Sequence, residues 1–296
     1  MASRKLKRPF KIMLLVFFSI AIVVFLFNVF NFLTDSASFF LGNALNGTNR
    51  AEVLKDVPKK FHKNYFFKTY GLGECESMVG DICVTFVFVD DDLSKWSQDE
   101  ISNYKIEPEK ILSQIETDSK KFNAVLNLPA NYKTATSSGK LTLNNYMNWV
   151  KKAIASAGLP EFSRMGAKLE QQYGVDNAPV IFLVNRNGRC FAKPSTTKQK
   201  GEFAIVYNDA DSFYHEFCHI FGGVDFYYPN DVKNLADKNL PESIMNANGK
   251  KVDDLTAYLI GWTKTLSDGA TTVLEGTNHL PEDYLRQQHA DETRIN

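Results

Sequence analysis

The sequence predicts a mixed α/β or α+β domain that is preceded by one membrane-spanning helix. Two strand-like runs, residues 82–89 and 179–184, are rich in β-branched and aromatic residues. Between them lies a helix-like stripe of apolar residues that includes Ile111, Ile115 and Phe122. Because strands and helices are interspersed along the chain, we expect both to build one mixed domain.

The N-terminal part of the chain combines a basic segment with a long apolar run. Residues 1–11 hold five lysines or arginines and no acid, and residues 12–33 hold no charge. One helical crossing needs about 20 apolar residues, whereas the apolar core of a cleaved signal peptide has about 7–15. We therefore predict a transmembrane helix over 12–33 in the cell membrane, with residues 1–11 cytoplasmic and the rest extracytoplasmic. Cleavage near residues 36–38, which would give a secreted protein, is the alternative.

The remaining chain divides into a predicted stalk and a predicted domain. Residues 34–69 are partly polar and partly basic and aromatic, which is typical of a juxtamembrane stalk. Asn46-Gly47-Thr48 within it fits an acceptor for N-glycosylation. The folded domain is predicted over residues 70–296, with a C-terminal tail from about residue 266.

Charge and cysteine content limit the classes of function. The 34 lysines and arginines are balanced by 34 aspartates and glutamates, so nucleic acid is not an expected partner. Four cysteines are present, and their spacing does not fit a paired CxxC structural zinc site. Cys75 and Cys83 are the better candidate disulfide pair, and buried free thiols are the alternative.

Local patterns predict the other elements of the domain. We expect helices over residues 108–126, 143–157, 161–173, 211–221 and 253–263, and further strands over 190–192 and 203–207. Asn187-Gly188 predicts a hairpin turn after the strand at 179–184. The three aspartates at 90–92 are expected to cap the next helix, and a calcium site is the alternative.

Two of the five histidines, His215 and His219, stand four residues apart in a helix-like stretch. Residues at i and i+4 share one helix face, roughly 6 Å apart at Cβ, which suits two imidazoles that bind one ion. Glu216 lies beside His215 and can serve as the base towards a metal-activated water. This order predicts a zinc site, although two histidines and a glutamate also occur by chance on helix surfaces.

A third metal ligand is expected directly after this helix. Gly222 and Gly223 follow His219 by three and four residues, and a glycine there can take positive φ and reverse the chain. Asp225 comes after the reversal and is the predicted third ligand. Three protein ligands with one exchangeable water are typical of catalytic rather than structural zinc.

The pattern His215-Glu216-x-x-His219-x-x-Gly222-x-x-Asp225 resembles the elongated zinc motif of the metzincin metallopeptidases. Most of that clan ends the motif in histidine, whereas a minority of members have aspartate, as this sequence does.

Residues 243–246 resemble the Met-turn of the same clan, with Met245 as its methionine. The resemblance covers about residues 70–265. It implies a twisted sheet with backing helices, a zinc helix, a Met-turn and Zn²⁺ as the cofactor. Some metzincins carry a tyrosine two residues after the methionine, but Ala247 stands there in this sequence. Tyr227 and Tyr228 are the candidates to supply a hydroxyl instead, and packing is their alternative role.

A different zinc clan takes a glutamate from a later helix as third ligand, and Glu242 would be that residue here. We prefer Asp225 because its spacing after Gly222 matches the metzincin motif. An extended substrate is expected to bind along a sheet edge, for which residues 190–192 are the candidate.

The resemblance implies a zinc endopeptidase that hydrolyses peptide bonds of a peptide or protein substrate, and the apolar run at 12–33 adds the membrane anchor. His215, His219 and Asp225 would bind Zn²⁺, and Glu216 would accept a proton and pass it to the leaving amine. A non-catalytic surface-binding domain with structural or no zinc stays an alternative, as does a zinc hydrolase of cell-wall amides. Glu216 favours an enzyme, since a structural site needs no general base.

Overall fold

The computed structural model describes residues 75–194, 201–228, 230–246 and 249–278. The predicted cytoplasmic segment, the transmembrane helix at 12–33 and the stalk at 34–69 lie outside the described residues and stay predictions. Within the described ranges, no helix has both the length and the apolar character needed to cross a membrane.

The domain is built on a five-stranded, mostly parallel sheet with a small two-stranded sheet beside it. Its strands are β1 (Gly80–Asp81), β2 (Val84–Asp90), β3 (Leu126–Asn127), β4 (Ala130–Thr136), β5 (Val180–Val184), β6 (Phe191–Lys193) and β7 (Phe203–Val206). The large sheet has the order β4-β2-β5-β7-β6, and β1 pairs with β3. All neighbours in the large sheet are parallel except β6, which runs antiparallel to β7 at the edge.

Helices cover both faces of this sheet. They are α1 (Gln98–Tyr104), α2 (Ile106–Ser119), α3 (Tyr146–Ser156), α4 (Met165–Tyr173), α5 (Asp211–Ile220), α6 (Asn230–Asn239), α7 (Asp254–Leu259) and α8 (Asp268–Gly276). Apolar residues of α3 and α4 pack on one face, and those of α1, α2 and α5 to α8 pack on the other. The central strands β5 and β7 are therefore buried along their whole length, as expected of parallel strands covered on both sides.

The sequence correctly predicts a mixed domain and most of its elements, with small shifts at their ends. The helix expected over 108–126 instead ends as a 3₁₀ turn at Lys120–Phe122, and the one expected over 161–173 begins with such a turn at Phe162–Arg164. The helix expected over 253–263 stops at Leu259, because Gly261 takes a positive φ of 89° there.

The predicted hairpin after β5 is wrong. Strand β7 lies between β5 and β6, so the segment around Asn187-Gly188 connects strands that are not neighbours. All four residues of β7 are buried, and a strand without a polar face is stable in the interior of a sheet rather than at its edge. The antiparallel partner of β6 is therefore β7.

The aspartates after β2 do not cap a helix. Ser97 caps α1 in a capping box with Glu100. Asp91 is buried and forms an ion pair with Arg186 at 2.8 Å. Its Oδ1 also accepts hydrogen bonds from the main-chain nitrogens of Leu93 and Ser94. The carboxylate is thus committed to a protein partner, which gives no support to a calcium site.

All four cysteines are buried and free, so the expected Cys75–Cys83 pair is not formed. The two residues are held by different parts of the domain. The main-chain nitrogen of Cys75 donates to Glu202, and that of Cys83 donates to the main-chain oxygen of Asn177. The alternative prediction, that the cysteines are buried free thiols, is therefore the correct one.

The predicted tail from about residue 266 is also corrected. Helix α8 occupies this part of the chain and packs against α6. It is stabilised by burial of Ala270, Val273 and Leu274 and by its N-cap Ser267, whose hydroxyl accepts a hydrogen bond from the main-chain nitrogen of Ala270. Residues 279–296 lie outside the described ranges.

Candidate metal centre

Helix α5 carries the first two residues of the site on one face. Its other face packs Phe213, Phe217 and Ile220 into the core, so the histidine side of the helix is oriented towards a surface cavity. The rings of His215 and His219 lie 4.7 Å apart, and their Nε2 atoms are separated by 3.1 Å. Both imidazoles therefore present the same nitrogen to a common point.

A chain reversal after α5 brings the third residue back to this point. Gly222 has a φ of 102°, a conformation that favours glycine, and Gly223 donates its main-chain N–H to the oxygen of Cys218 at 2.8 Å. A Cβ on Gly223 would lie 3.0 Å from the main chain of Cys218, which is closer than most Cβ contacts, so the turn favours glycine there as well. Asp225 follows, and its Oδ1 lies 3.1 Å and 3.2 Å from the two histidine Nε2 atoms.

Main-chain carbonyls determine that Nδ1 of each imidazole carries a proton. The Nδ1 of His215 lies 2.8 Å from the oxygen of Ile244, and the Nδ1 of His219 lies 2.9 Å from the oxygen of Gly223. A carbonyl oxygen can only accept, so each Nδ1 is the donor. In neutral histidines both Nε2 atoms then carry a lone pair, and these lone pairs face the carboxylate of Asp225.

Three convergent lone pairs need a positive charge between them. The buried Oδ1 of Asp225 has no hydrogen-bond donor among the described residues. Burial alone would lower the pKa of His219, but the neighbouring Asp225 carboxylate raises it to about 9. Burial opposes ionisation of Asp225, and the two histidines nevertheless keep the pKa of its carboxyl well below the usual range. A proton held by His219 satisfies this need when no metal is bound.

The same three atoms fit a divalent cation. Tetrahedral ligands at about 2.0–2.1 Å from zinc lie roughly 3.3 Å from one another, close to the observed separations of 3.1 and 3.2 Å. Within the described ranges, His215, His219 and Asp225 are the group of three side chains that could hold a metal ion. Their position at the cavity leaves one side of the group open to a further ligand.

The turn around Met245 supports the site from behind. Met245 is fully buried, and its main-chain oxygen accepts a hydrogen bond from Phe226, the residue after Asp225, at 2.9 Å. Ile244 supplies the carbonyl that holds His215. The turn thus contacts both arms of the site, the helix and the segment that returns after it.

Glu216 shares the cavity with the three potential ligands. It is buried and lines a space of about 740 Å³ together with His215, His219 and Asp225. The predicted edge strand reaches the same space, since Phe191 and Ala192 of β6 also line it. The fold therefore brings these residues, all predicted from the sequence, together around one cavity.

The other candidates from the sequence, Glu242 and the two tyrosines, differ in their distance from the group of ligands. Glu242 has a side chain that is 70% exposed and forms an ion pair with Lys251, so it is not part of the group around His215. The hydroxyl of Tyr227 lies 2.7 Å from Oδ2 of Asp225, whereas Tyr228 is 45% exposed. Ala247 lies outside the described residues.

Sequence reasoning missed the carbonyl groups that orient the histidines. Any residue can supply a main-chain oxygen, so the identities of Ile244 and Gly223 carry no signal for this role. It also missed the hydrogen bond from Tyr227 to Asp225. The i, i+2 spacing of these two residues after the glycines was the available hint.

Comparisons with known proteins add little to this geometry. No protein-family model matches the chain. No curated protein is significantly similar to it. Among the solved structures that match is a crystal structure of metalloproteinase-II from Bacteroides fragilis, with 12% sequence identity and a TM-score of 0.32. The match covers 67% of this chain and 58% of that one, so the chain spans less than two thirds of that protein. A likeness at this level assigns neither fold details nor activity.

Proposed function

We propose that this chain is a zinc-dependent endopeptidase whose metal is bound by His215, His219 and Asp225. The observation that carries the proposal is the convergence of two histidine Nε2 atoms and one carboxylate oxygen within 3.2 Å of one another. Two imidazoles and one carboxylate suit zinc, and a set of three leaves one position for water or substrate, as in catalytic sites. Zinc bound here would lower the pKa of a bound water to about 7 and polarise a substrate carbonyl.

Glu216 is the catalytic base in this proposal. It is next to His215 in sequence and lines the same cavity, whereas the carboxylate of Asp225 is directed at the histidines. Its carboxylate takes the proton of the attacking water and later delivers it to the amine of the cleaved bond. General acid–base catalysis of this kind typically contributes about 10²- to 10⁴-fold to a rate.

The substrate would bind as an extended peptide along β6. This strand ends the order of the large sheet, so one of its sides pairs with β7 and the other has no strand partner among the described residues. Phe191 and Ala192 line the cavity that holds Glu216. An extended segment could add to this edge through main-chain hydrogen bonds, which select for a peptide backbone rather than for particular side chains.

We place the enzyme at the cell membrane on the basis of the sequence. The uncharged run at 12–33 follows a basic segment, which favours a single anchor with its N-terminus in the cytoplasm. The catalytic domain would then act on substrates outside the cytoplasm. Extraction of the full chain from membranes by detergent, but not by alkaline carbonate or high salt, is the result that supports the anchor.

Chelator-sensitive cleavage of an unstructured protein tests the activity. Purified full-length protein is assayed for bound zinc and for hydrolysis of denatured casein, before and after chelation and zinc return. The proposal expects about one zinc per chain, loss of cleavage on chelation and recovery with zinc. Bound zinc with no cleavage by the wild type would instead indicate a binding domain.

A further inference from the structure

The hydroxyl of Tyr227 makes a direct hydrogen bond to the proposed acidic metal ligand. Its oxygen lies 2.7 Å from Oδ2 of Asp225, while Oδ1 of the same carboxylate faces the two histidines. A phenol donates to a carboxylate, so the proton of Tyr227 is committed to Asp225. The two oxygens of the carboxylate therefore have separate partners.

The ring of Tyr227 also lies beside one of the histidines. Its centroid is 6.5 Å from that of His215, and the two planes are inclined by 24°. The side chain is half-buried and lines the cavity. Ring packing and the hydroxyl hydrogen bond are thus two separable contacts, because a phenylalanine would keep the first and lose the second.

From this geometry we infer that Tyr227 is a positioning residue for Asp225, which keeps Oδ1 directed at the metal and Oδ2 away from it. The inference rests on the proposed metal centre. A carboxylate that is free to rotate can bind a cation through one oxygen or through both, and the two modes differ in coordination number. Hydrogen-bond partners of metal ligands restrict this freedom, and their loss typically lowers metal affinity by about 10- to 100-fold.

The hydroxyl does not act directly on a substrate in this account. Tyr227 was a sequence-based candidate to supply a hydroxyl to the site, but in the structure this hydroxyl donates its hydrogen bond to Asp225. Its effect on catalysis is therefore indirect, through the position of Asp225 and the affinity for the ion.

The test compares Tyr227→Phe with Tyr228→Phe. The second variant removes the same atom from the neighbouring residue, which is exposed and has no place in the group of ligands. Zinc affinity is measured by competition with a chromophoric chelator, and the cobalt(II) forms are compared by visible absorption. We expect Tyr227→Phe to bind zinc about 10- to 100-fold more weakly and Tyr228→Phe to match the wild type.

The cobalt spectrum separates positioning from general loss of structure. If Asp225 binds through both oxygens once the hydroxyl is gone, the coordination number rises and the visible absorption of the cobalt(II) form weakens. A variant that is merely less stable would keep the wild-type spectrum in its folded fraction. Thermal unfolding of the metal-free proteins records any loss of stability independently.

A double-mutant cycle with Asp225→Ala completes the test. If Tyr227 acts through Asp225, Tyr227→Phe has less than a twofold further effect on zinc affinity in the Asp225→Ala background. Equal effects in both backgrounds would overturn the inference, as would a wild-type affinity and cobalt spectrum in Tyr227→Phe. Failure of the wild type to bind zinc would instead reject the metal centre itself, so the two failures are distinguishable.

Discussion

The Nδ1 atom of His215 donates a hydrogen bond of 2.8 Å to the main-chain oxygen of Ile244, which joins α5 to the turn around Met245. This contact couples the orientation of a proposed metal ligand to a segment that lies 29 residues further along the chain. Ser243 stabilises this turn through two hydrogen bonds. Its hydroxyl donates one to Asp253 and accepts one from the main-chain nitrogen of Met245. A ligand on one helix thus depends on hydrogen bonds made at the start of another, α7.

Ser243→Ala is expected to destabilise the protein and to weaken its metal binding. The change leaves the buried N–H of Met245 and one oxygen of Asp253 without this partner, which costs about 1–3 kcal/mol. Urea denaturation measures the loss. Ser102→Ala on α1 is the control, since this exposed serine donates only to its own helix, and it should change stability by less than about 0.5 kcal/mol. Equal effects of the two variants would refute the role of Ser243.

Glu216→Gln is expected to abolish hydrolysis while zinc stays bound. The amide fills the same volume but cannot accept the proton, so kcat should fall by about 10²- to 10⁴-fold. Zinc content is measured on the same samples and should equal that of the wild type, because Glu216 is outside the group of three ligands. Unchanged cleavage by this variant would remove Glu216 from the mechanism.

Metal binding is expected to release about one proton near neutral pH. The Asp225 carboxylate, acting against the effect of burial, raises the pKa of His219 to about 9, so the metal-free protein holds this proton at pH 7.5. A histidine binds a metal ion only as neutral imidazole, so the extra proton of His219 is released when zinc binds. Titration calorimetry in buffers of different ionisation enthalpy counts the protons. The number should fall towards zero as the pH is raised through 9, and a count that stays constant would contradict this assignment.

Arg186→Met is expected to be strongly destabilising. Asp91 has a fully buried side chain that pairs with Arg186 at 2.8 Å, and this arginine is only 20% exposed. Burial opposes ionisation of Asp91, but the hydrogen bond from Arg186 holds the pKa of its carboxyl below the usual value. Loss of one partner from a buried pair typically costs about 3–5 kcal/mol.

Lys251→Ala provides the comparison for that ion pair. Lys251 and its partner Glu242 are 64% and 70% exposed, so solvent screens their attraction. Removal of this pair should cost less than about 1 kcal/mol. Chemical denaturation of both variants gives the two values, and similar losses would show that burial does not set the strength of the Asp91 pair.

The proposed ligands could be found from the sequence because their arrangement is local. One helical turn separates His215 from His219, and two glycines set the reversal that returns Asp225. Such spacing depends on backbone geometry within a few residues. The carbonyl of Ile244 is different, since its contact with His215 requires the turn to fold back from a distant part of the chain.

The same distinction explains the errors in the fold. Asn187-Gly188 is a strong local indication of a hairpin between β5 and β6. The fully buried strand β7 nevertheless pairs with β5 on that side, so β6 cannot. Strand β4 was missed because most of its residues are only partly buried and its apolar residues, Ala130, Tyr132 and Ala135, do not keep a period of two along the whole strand. Helix α6 was missed for a similar reason, since only Val232 and Ala236 of this polar segment are buried.

Helix α1 could have been predicted. Ser97 and Glu100 have the spacing of a capping box, which the structure contains, and this pattern alone indicates a helix start. Helix α1 has only seven residues and one buried apolar residue, Ile101, so no apolar stripe with the helical period marks it in the sequence.

The most direct test of the metal centre is a crystal structure of the zinc-loaded protein with anomalous data collected on both sides of the zinc absorption edge. We predict one anomalous peak at about 2.0–2.1 Å from Nε2 of His215 and Nε2 of His219 and about 2.0–2.2 Å from Oδ1 of Asp225, with Glu242 still paired to Lys251. A peak bound by other residues, or no peak between the two histidines at full zinc loading, would contradict it.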